Sequence, residues 1–309
     1  MSTDYESVGI WDASQISRLL GSDTIFKYRQ GIYIADPDVA DARLRLSLVN
    51  GAYRLPVYAT PTNFWNEVAQ GNVPGHTAVR GFGRNPKVGT VFEDIWDHGG
   101  TLEYPTANEQ WYIVSTSAND TAAGSGAQRV TIRYLDENYA EQTVTVELNG
   151  TTNVLFPAAD QFRPIDVQVD RWGATGENEG NIFIRQQTTD KLRCGIYYDD
   201  SVAGDENGLN SAQDFHYTCP AGKTAWLWRL VISTSKNHDI VIRGRKRLFG
   251  EGGFQTLGEY TDYQSTFPID FEKTPIKLEE KSDFKITARS NNAEVPVSIA
   301  ASIIEVDNG

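Results

Sequence analysis

Oxygen ligands offer the first candidate chemistry. The run DDSVAGDENGLN carries Asp199, Asp200, Asp205, Glu206 and Asn207, a donor set that suits a hard cation such as calcium. Its spacing misses the EF-hand pattern, so the run reads as a solvated acidic loop over residues 199–210 and no metal is assigned. The four histidines, His76, His98, His216 and His238, are scattered with neither an HExxH nor a His-x-His pair, and read as surface or turn residues. Cys194 and Cys219 are too few for a disulfide framework or a cysteine-only metal site. They read as two independent semi-buried thiols, with a single bridge between them as the alternative.

Phosphate loops and nucleophiles find no better support. Gly124-Ser125-Gly126 leads into a strand-like run and not into a helix, so it is no dinucleotide fingerprint. AGKTAW sets Gly222, Lys223 and Thr224 in P-loop order, but Tyr217 stands where that loop needs a glycine, and WLWRLVI downstream alternates like a strand. No GxSxG elbow occurs, and Glu93 and Asp94 sit beside polar loops with nothing to drive their pKa values apart. The expectation is a protein with no catalytic residue and no cofactor. A carbohydrate-active enzyme with two carboxylates far apart in sequence is the remote alternative.

Charge narrows the partners. Against 28 Lys and Arg stand 41 Asp and Glu, a formal net charge of −13, which argues against nucleic acid because phosphate neutralisation needs clustered cations. One local exception is IVIRGRKRLFG, where Arg243, Arg245, Lys246 and Arg247 could dock an acidic neighbour, including a second copy. The bland reading of that run is a solvated strand end. Trp11, Phe26, Tyr28 and Trp65 supply N-terminal aromatics for a contact, and Trp226 and Trp228 are expected to pack a core, with sugar stacking as their other use. The sequons at Asn119 and Asn149 read as turn residues. No apolar run is long enough to cross a bilayer and the first residues lack a secretory pattern, so neither a membrane partner nor export is expected.

The elements that would position these residues are mostly strands. Short helices are expected in DASQISRLLG and TNFWNEVAQGN, with Asn50-Gly51 turning a hairpin between them. From about residue 110 onward, strand-like runs arrive at close spacing, separated by Gly, Asn, Asp and Pro, with no helical crossover. That pattern predicts a mainly β fold, an antiparallel sandwich or jelly-roll-like architecture. There are more strands than a single jelly roll holds, so two lobes are expected, 93–190 and 191–309, behind a mixed N-terminal arm over 1–92. Within SANDTAAGSGAQRVTIRYLDENYAEQTVTVELNG, Val130, Ile132 and Tyr134 share one face, as do Val144, Val146 and Leu148. The Asn, Asp and Gly residues ahead of them form the connection into this pair.

Four segments taken in order carry a resemblance: GFGRNPKVGTVFEDIWDHGGTLEYPT, VSTSANDTAAGSGAQRVTIRYLDENYAEQTVTVELNGTTNV, YTCPAGKTAWLWRLVIS and LEEKSDFKI. They resemble successive segments of a group of tailed-phage virion structural proteins, whose pattern includes an SxSANDTAAGTGARTVTVEGLDANY-like run followed by a TVTLNGTT-like run. The resemblance spans roughly residues 80 to 305. It implies a non-enzymatic assembly component made in the host cytoplasm and located in the virion. The leading expectation is a capsid decoration or cement subunit that binds the major capsid protein or other virion proteins as a homo-oligomer, a trimer first. A tail or fibre component that binds a host-surface glycan is the alternative. Trp111, Trp226, Trp228 and RGRKR depart from the pattern and are expected to mark contacts peculiar to this particle.

Overall fold

The structure, a computed structural model, describes the backbone of 33–35, 43–45, 47–49 and 52–54, and then residues 61–199, 207–235, 238–263, 265–271 and 273–308. The chain divides into two compact units, Met1–Gln70 and Gly71–Gly309. In the first, β1 (Tyr33–Ala35) pairs antiparallel with β2 (Arg43–Arg45). β3 (Ser47–Val49) pairs with β4 (Ala52–Arg54), Val49 opposite Ala52, so only Asn50 and Gly51 join them. Helix α1 (Pro61–Ala69) begins on proline, whose fixed φ suits a first turn, and stops ahead of Gly71 at φ +76°. The helix expected in DASQISRLLG lies outside the described residues.

The second unit holds β5 (His76–Val88), β6 (Glu93–Asp94), β7 (Trp111–Ser115), β8 (Ala127–Leu135), β9 (Glu141–Glu147), β10 (Val154–Leu155), β11 (Arg163–Trp172), β12 (Ile182–Gln186) and β13 (Leu192–Ile196). It continues with β14 (His216–Thr218), β15 (Lys223–Thr234), β16 (Asp239–Arg247), β17 (Gln255–Tyr263), β18 (Thr266–Asp270), β19 (Ile276–Leu278), β20 (Asp283–Ser290) and β21 (Val295–Asp307). The strands form four antiparallel sheets, which bears out a mainly β chain. Sheet 1 runs β10-β7-β12-β13 and sheet 2 runs β11-β8-β9. They share one core, because Ile113, Ile182, Ile184 and Ile196 from sheet 1 meet Val130, Ile132, Val146 and Val167 from sheet 2. Arg129, Thr131 and Arg133 alternate with them toward water, as the period of two requires.

Sheet 3 runs β14-β20-β16-β17 with β6 also on β20, and sheet 4 runs β18-β15-β21-β5 with β19 also on β15. Ile240, Ile242, Phe284 and Ile286 of sheet 3 pack on Leu227, Ile232, Ile299 and Ile303 of sheet 4. Six consecutive residues of β20, Asp283–Ala288, are buried, so this strand is covered on both faces. Phe284, Ile286 and Ala288 enter the shared core, which leaves Asp283, Lys285 and Thr287 on the opposite face.

The expected divisions at 92 and 190 are corrected by the pairing. β5 lies along β21, so the second unit starts at Gly71, and β13 lies along β12, so a cut at 190 would split sheet 1. Alternation reports which face of a strand is wet and says nothing of its neighbour. The segment after Asn207 ties the sheet pairs together. Ala212 N–H donates to Val167 O at 2.9 Å, Arg84 N–H to Gln213 O at 3.0 Å and Phe215 N–H to Ile95 O at 2.8 Å. Gly83 is required where β5 passes Phe215, since a Cβ there would lie 2.6 Å from the Phe215 nitrogen and 2.8 Å from Ile95 O.

Candidate functional site

A cleft of about 750 Å³ opens between the two sheet pairs, bounded by Thr77–Phe82 of β5, Pro164–Asp166 of β11 and the segment 211–218. Three residues with reactive side chains line it. Cys194 Sγ–H donates to Asp214 Oδ2 at 3.0 Å, and His216 Nε2–H donates to Pro164 O at 2.9 Å. Burial raises the Cys194 thiol well above its ordinary range, raises the Asp214 carboxyl and lowers the His216 imidazole. The thiol therefore keeps its proton, which it donates in a hydrogen bond to a carboxylate and not to an imidazole, and this makes it a poor nucleophile. The DFH spacing puts Asp214 and His216 on one face of the chain with Phe215 turned into the core, a signal the scattered-histidine reading overlooked.

Asp97 stands beside this group. Burial first, then the charge of Asp214, pushes its carboxyl up to about 7, with Arg84 opposing and Asp199 adding to the rise. Tyr197 O–H donates to His98 Nδ1 at 3.0 Å, and burial raises the phenol and lowers the imidazole. Among the described residues no group of three or more His, Cys, Asp or Glu could hold a metal ion. Asp199 pairs with Arg84 at 3.3 Å, while Asp200, Asp205 and Glu206 lie outside the described residues.

On the covered face of β20 lies an ionic seam. Asp283 meets Arg163 of β11 at 3.4 Å and Arg247 of β16 at 2.5 Å, and it accepts from Thr218 Oγ1 at 2.7 Å. Lys285 Nζ sits 2.8 Å from Asp94 Oδ1, and the Arg163 and Arg247 guanidiniums lie 4.9 and 4.8 Å from the Tyr104 ring centroid. Arg163 and Asp283 are both nearly inaccessible, so this pair joins β11 of sheet 2 to β20 of sheet 3 out of water.

The expected contact residues fare differently. Trp11, Phe26 and Tyr28 lie outside the described residues; Trp65 sits in α1 with its ring edge-on to Phe64 at 6.1 Å. The basic run on β16 is not a free patch. Arg243 pairs with Glu259 at 2.6 Å, Lys246 with Glu279 at 3.0 Å and Arg247 with Asp283, while Arg245 donates to Phe254 O at 3.1 Å. The reason is cross-strand: β16 runs between β17 and β20, and these strands supply Glu259 and Asp283. Trp111 is fully buried with Nε1–H on Glu109 Oε2 at 3.0 Å, so it is core and not a particle contact. Trp226 and Trp228 are half-buried on the face of β15 opposite Ala225 and Leu227, which corrects the expectation that they fill the core. Both cysteines are free and buried.

The SANDTAAGSGA run is spent on its own backbone. Asp120 is fully buried, its Oδ1 accepting from Ala127 N–H at 2.8 Å and Glu179 N–H at 2.9 Å and its Oδ2 from Ser115 Oγ–H at 2.6 Å. One carboxylate thus ties the end of β7 to the start of β8 and to the approach to β12. A Cβ on Gly126 would collide with Asp120 Oδ1, and one on Gly173 would come 2.6 Å from Ser125 O. Asn119 donates to Glu179 at 2.6 Å, in keeping with a turn role for this sequon.

No family model matches the chain, and no curated protein matches it. Among solved structures, that of infectious bursal disease virus Gx strain aligns over 76% of this chain and 77% of its own at 8% identity, with a TM-score of 0.17. The infectious bursal disease virus VP2 subviral particle aligns over the same shares at 9% identity and a TM-score of 0.15. Vicilin from Corylus avellana (hazelnut) covers 90% of this chain and 83% of its own at 7% identity and a TM-score of 0.14. Superpositions this loose carry no argument about fold or function.

The lining of the cleft is mixed in character. Its thiol and imidazole are held in their neutral forms by burial, two of its cations, Arg133 and Lys223, meet Glu141 and Glu305, and its β5 wall, which carries Arg80, is exposed strand.

Proposed function

We propose that the protein is a non-enzymatic structural subunit of a tailed-phage virion, most simply a decoration or cement subunit that stabilises the head. The reading also takes each sheet pair as a β-sandwich, and takes the protein to act as a homo-oligomer, a trimer first, against the major capsid protein. The observation that carries it is the Ser117–Gly150 run. The residues that give this run its likeness to phage virion proteins, Asp120, Gly124 and Gly126 among them, are those that lock the junction of β7, β8 and β12. A shared signature made of fold-defining residues supports shared architecture over shared catalysis. Many copies on a lattice turn modest single contacts into strong retention, which asks for a rigid body and not for a reactive centre.

Electron microscopy of intact particles tests the reading: density on the head surface is expected, density confined to the tail overturns the decoration role, and no density overturns the virion reading itself. The same particles test the anchoring role of the N-terminal unit. Deletion of residues 1–70, which follows the boundary between the compact units, is expected to lower occupancy at least ten-fold. Unchanged occupancy would remove Trp11, Phe26, Tyr28 and Trp65 from the contact.

A further inference from the structure

We propose that the outer edge of β5, from Ala78 to Phe82, takes an extended segment of another protein as an added strand. Parity decides which backbone groups are free. His76 N–H donates to Val73 O at 3.2 Å and Arg84 N–H to Gln213 O at 3.0 Å, both away from β21, and no register shift lies between these residues. Backbone groups of an antiparallel strand alternate sides, so the N–H and C=O of Ala78, Arg80 and Phe82 point the same way, into the cleft. Among the described residues these groups have no partner.

The rest of the strand is closed off. Gln213 covers Arg84, Pro86 has no N–H to offer, and the register with β21 shifts between Asn85 and Val88. The opposite edge of sheet 4 carries Pro268 within β18. Proteins blunt exposed edges by such means, and Ala78–Phe82 lacks them apart from the one charge of Arg80. A row of free donors and acceptors at two-residue spacing matches another extended backbone and little else. The cleft of about 750 Å³ beside it supplies the room.

Side chains narrow the partner. Arg80 is exposed with no carboxylate partner among the described residues, whereas Arg84 has Asp199 at 3.3 Å. Phe82 is 41% exposed. The added strand therefore carries an acidic side chain across from Arg80 and an apolar one beside Phe82. Nothing here rests on the virion reading, since the edge belongs to the isolated chain.

A randomised seven-residue peptide library selected on the full chain, with counter-selection on Arg80→Pro, tests this. Proline at 80 removes only an outward N–H and leaves the β21 ladder whole. Enriched peptides are expected to bind the parent at least ten-fold tighter than the variant and to slow hydrogen exchange at the amides of Ala78, Arg80 and Phe82. Failure of any peptide to enrich over the variant overturns the proposal, as does protection of other amides instead. Protection of the three amides before any peptide is added also overturns it, assigning the edge to a second copy if it grows with protein concentration and to the chain's own N-terminal residues if it does not. If Arg80→Pro fails to fold, amide exchange in the parent with and without the enriched peptides decides alone.

Discussion

Asp97 carries the clearest consequence at the scale of one residue. Its carboxyl is buried, its Oδ2 has no hydrogen-bond partner, and burial together with Asp214 holds its pKa near 7 against an ordinary 3.8. The folded chain binds this proton more tightly than the unfolded chain, so the stability it contributes is full below about pH 4 and is lost as pH rises through about 7. Asp97→Asn, which keeps the shape of the protonated group, is expected to exceed the parent in stability at pH 8 by on the order of 2–4 kcal/mol and to match it near pH 4. Urea unfolding at the two pH values measures the difference, and equal stability at pH 8 would show that Asp97 ionises without cost. The groups around it, Asp214, Asp199 and Arg84, come from three separate stretches of chain, and no spacing in the sequence announces that they meet.

Among the elements, the strands differ in what their glycines do. Gly83 sits under Phe215 with no room for a Cβ, whereas a Cβ on Gly244 in β16 would meet nothing nearer than 3.8 Å. Gly83→Ala is expected to cost roughly 3 kcal/mol or more, and Gly244→Ala to stabilise by about 0.5–1 kcal/mol, because a mid-strand glycine spends backbone entropy without need. Paired thermal melts check both signs. The same elements show how far the sequence could be read. Alternation in QRVTIRY and TVTVEL placed Val130, Ile132, Tyr134 and Val146 on buried faces, and the helix expected in TNFWNEVAQGN is present as Pro61–Ala69. The RGRKR run misled because its countercharges, Glu259 and Asp283, lie 16 and 36 residues downstream on strands whose pairing no local pattern encodes. The cleft was hidden for the same reason: Cys194, Asp214 and His216 converge only once β11, β13 and β14 are in place.

For the molecule as a whole, the Arg163–Asp283 pair is a buried side-chain link between the two sheet pairs. Asp283→Ala strips two guanidiniums of their shared carboxylate, one of them almost wholly out of water, and is expected to cost about 3–5 kcal/mol. Glu259→Ala, which removes the exposed partner of Arg243, is expected to cost less than about 1 kcal/mol. Denaturant titrations at neutral pH separate the two, and similar losses would show that the seam is no stronger than a surface pair. The placement of β21 also bears on how the molecule comes into being. β21 lies between β15 and β5, pairing with both along most of its length, and β5 precedes it by some two hundred residues. Among the described residues the strands of sheets 1 and 2 end at Ile196, and only the segment 209–212 joins their core later, so these strands can pair while the ribosome is still reading the rest. Sheet 4 cannot, and until residues 295–307 have been synthesised β5 and β15 wait without their common neighbour, which places the interval of greatest aggregation risk late in synthesis.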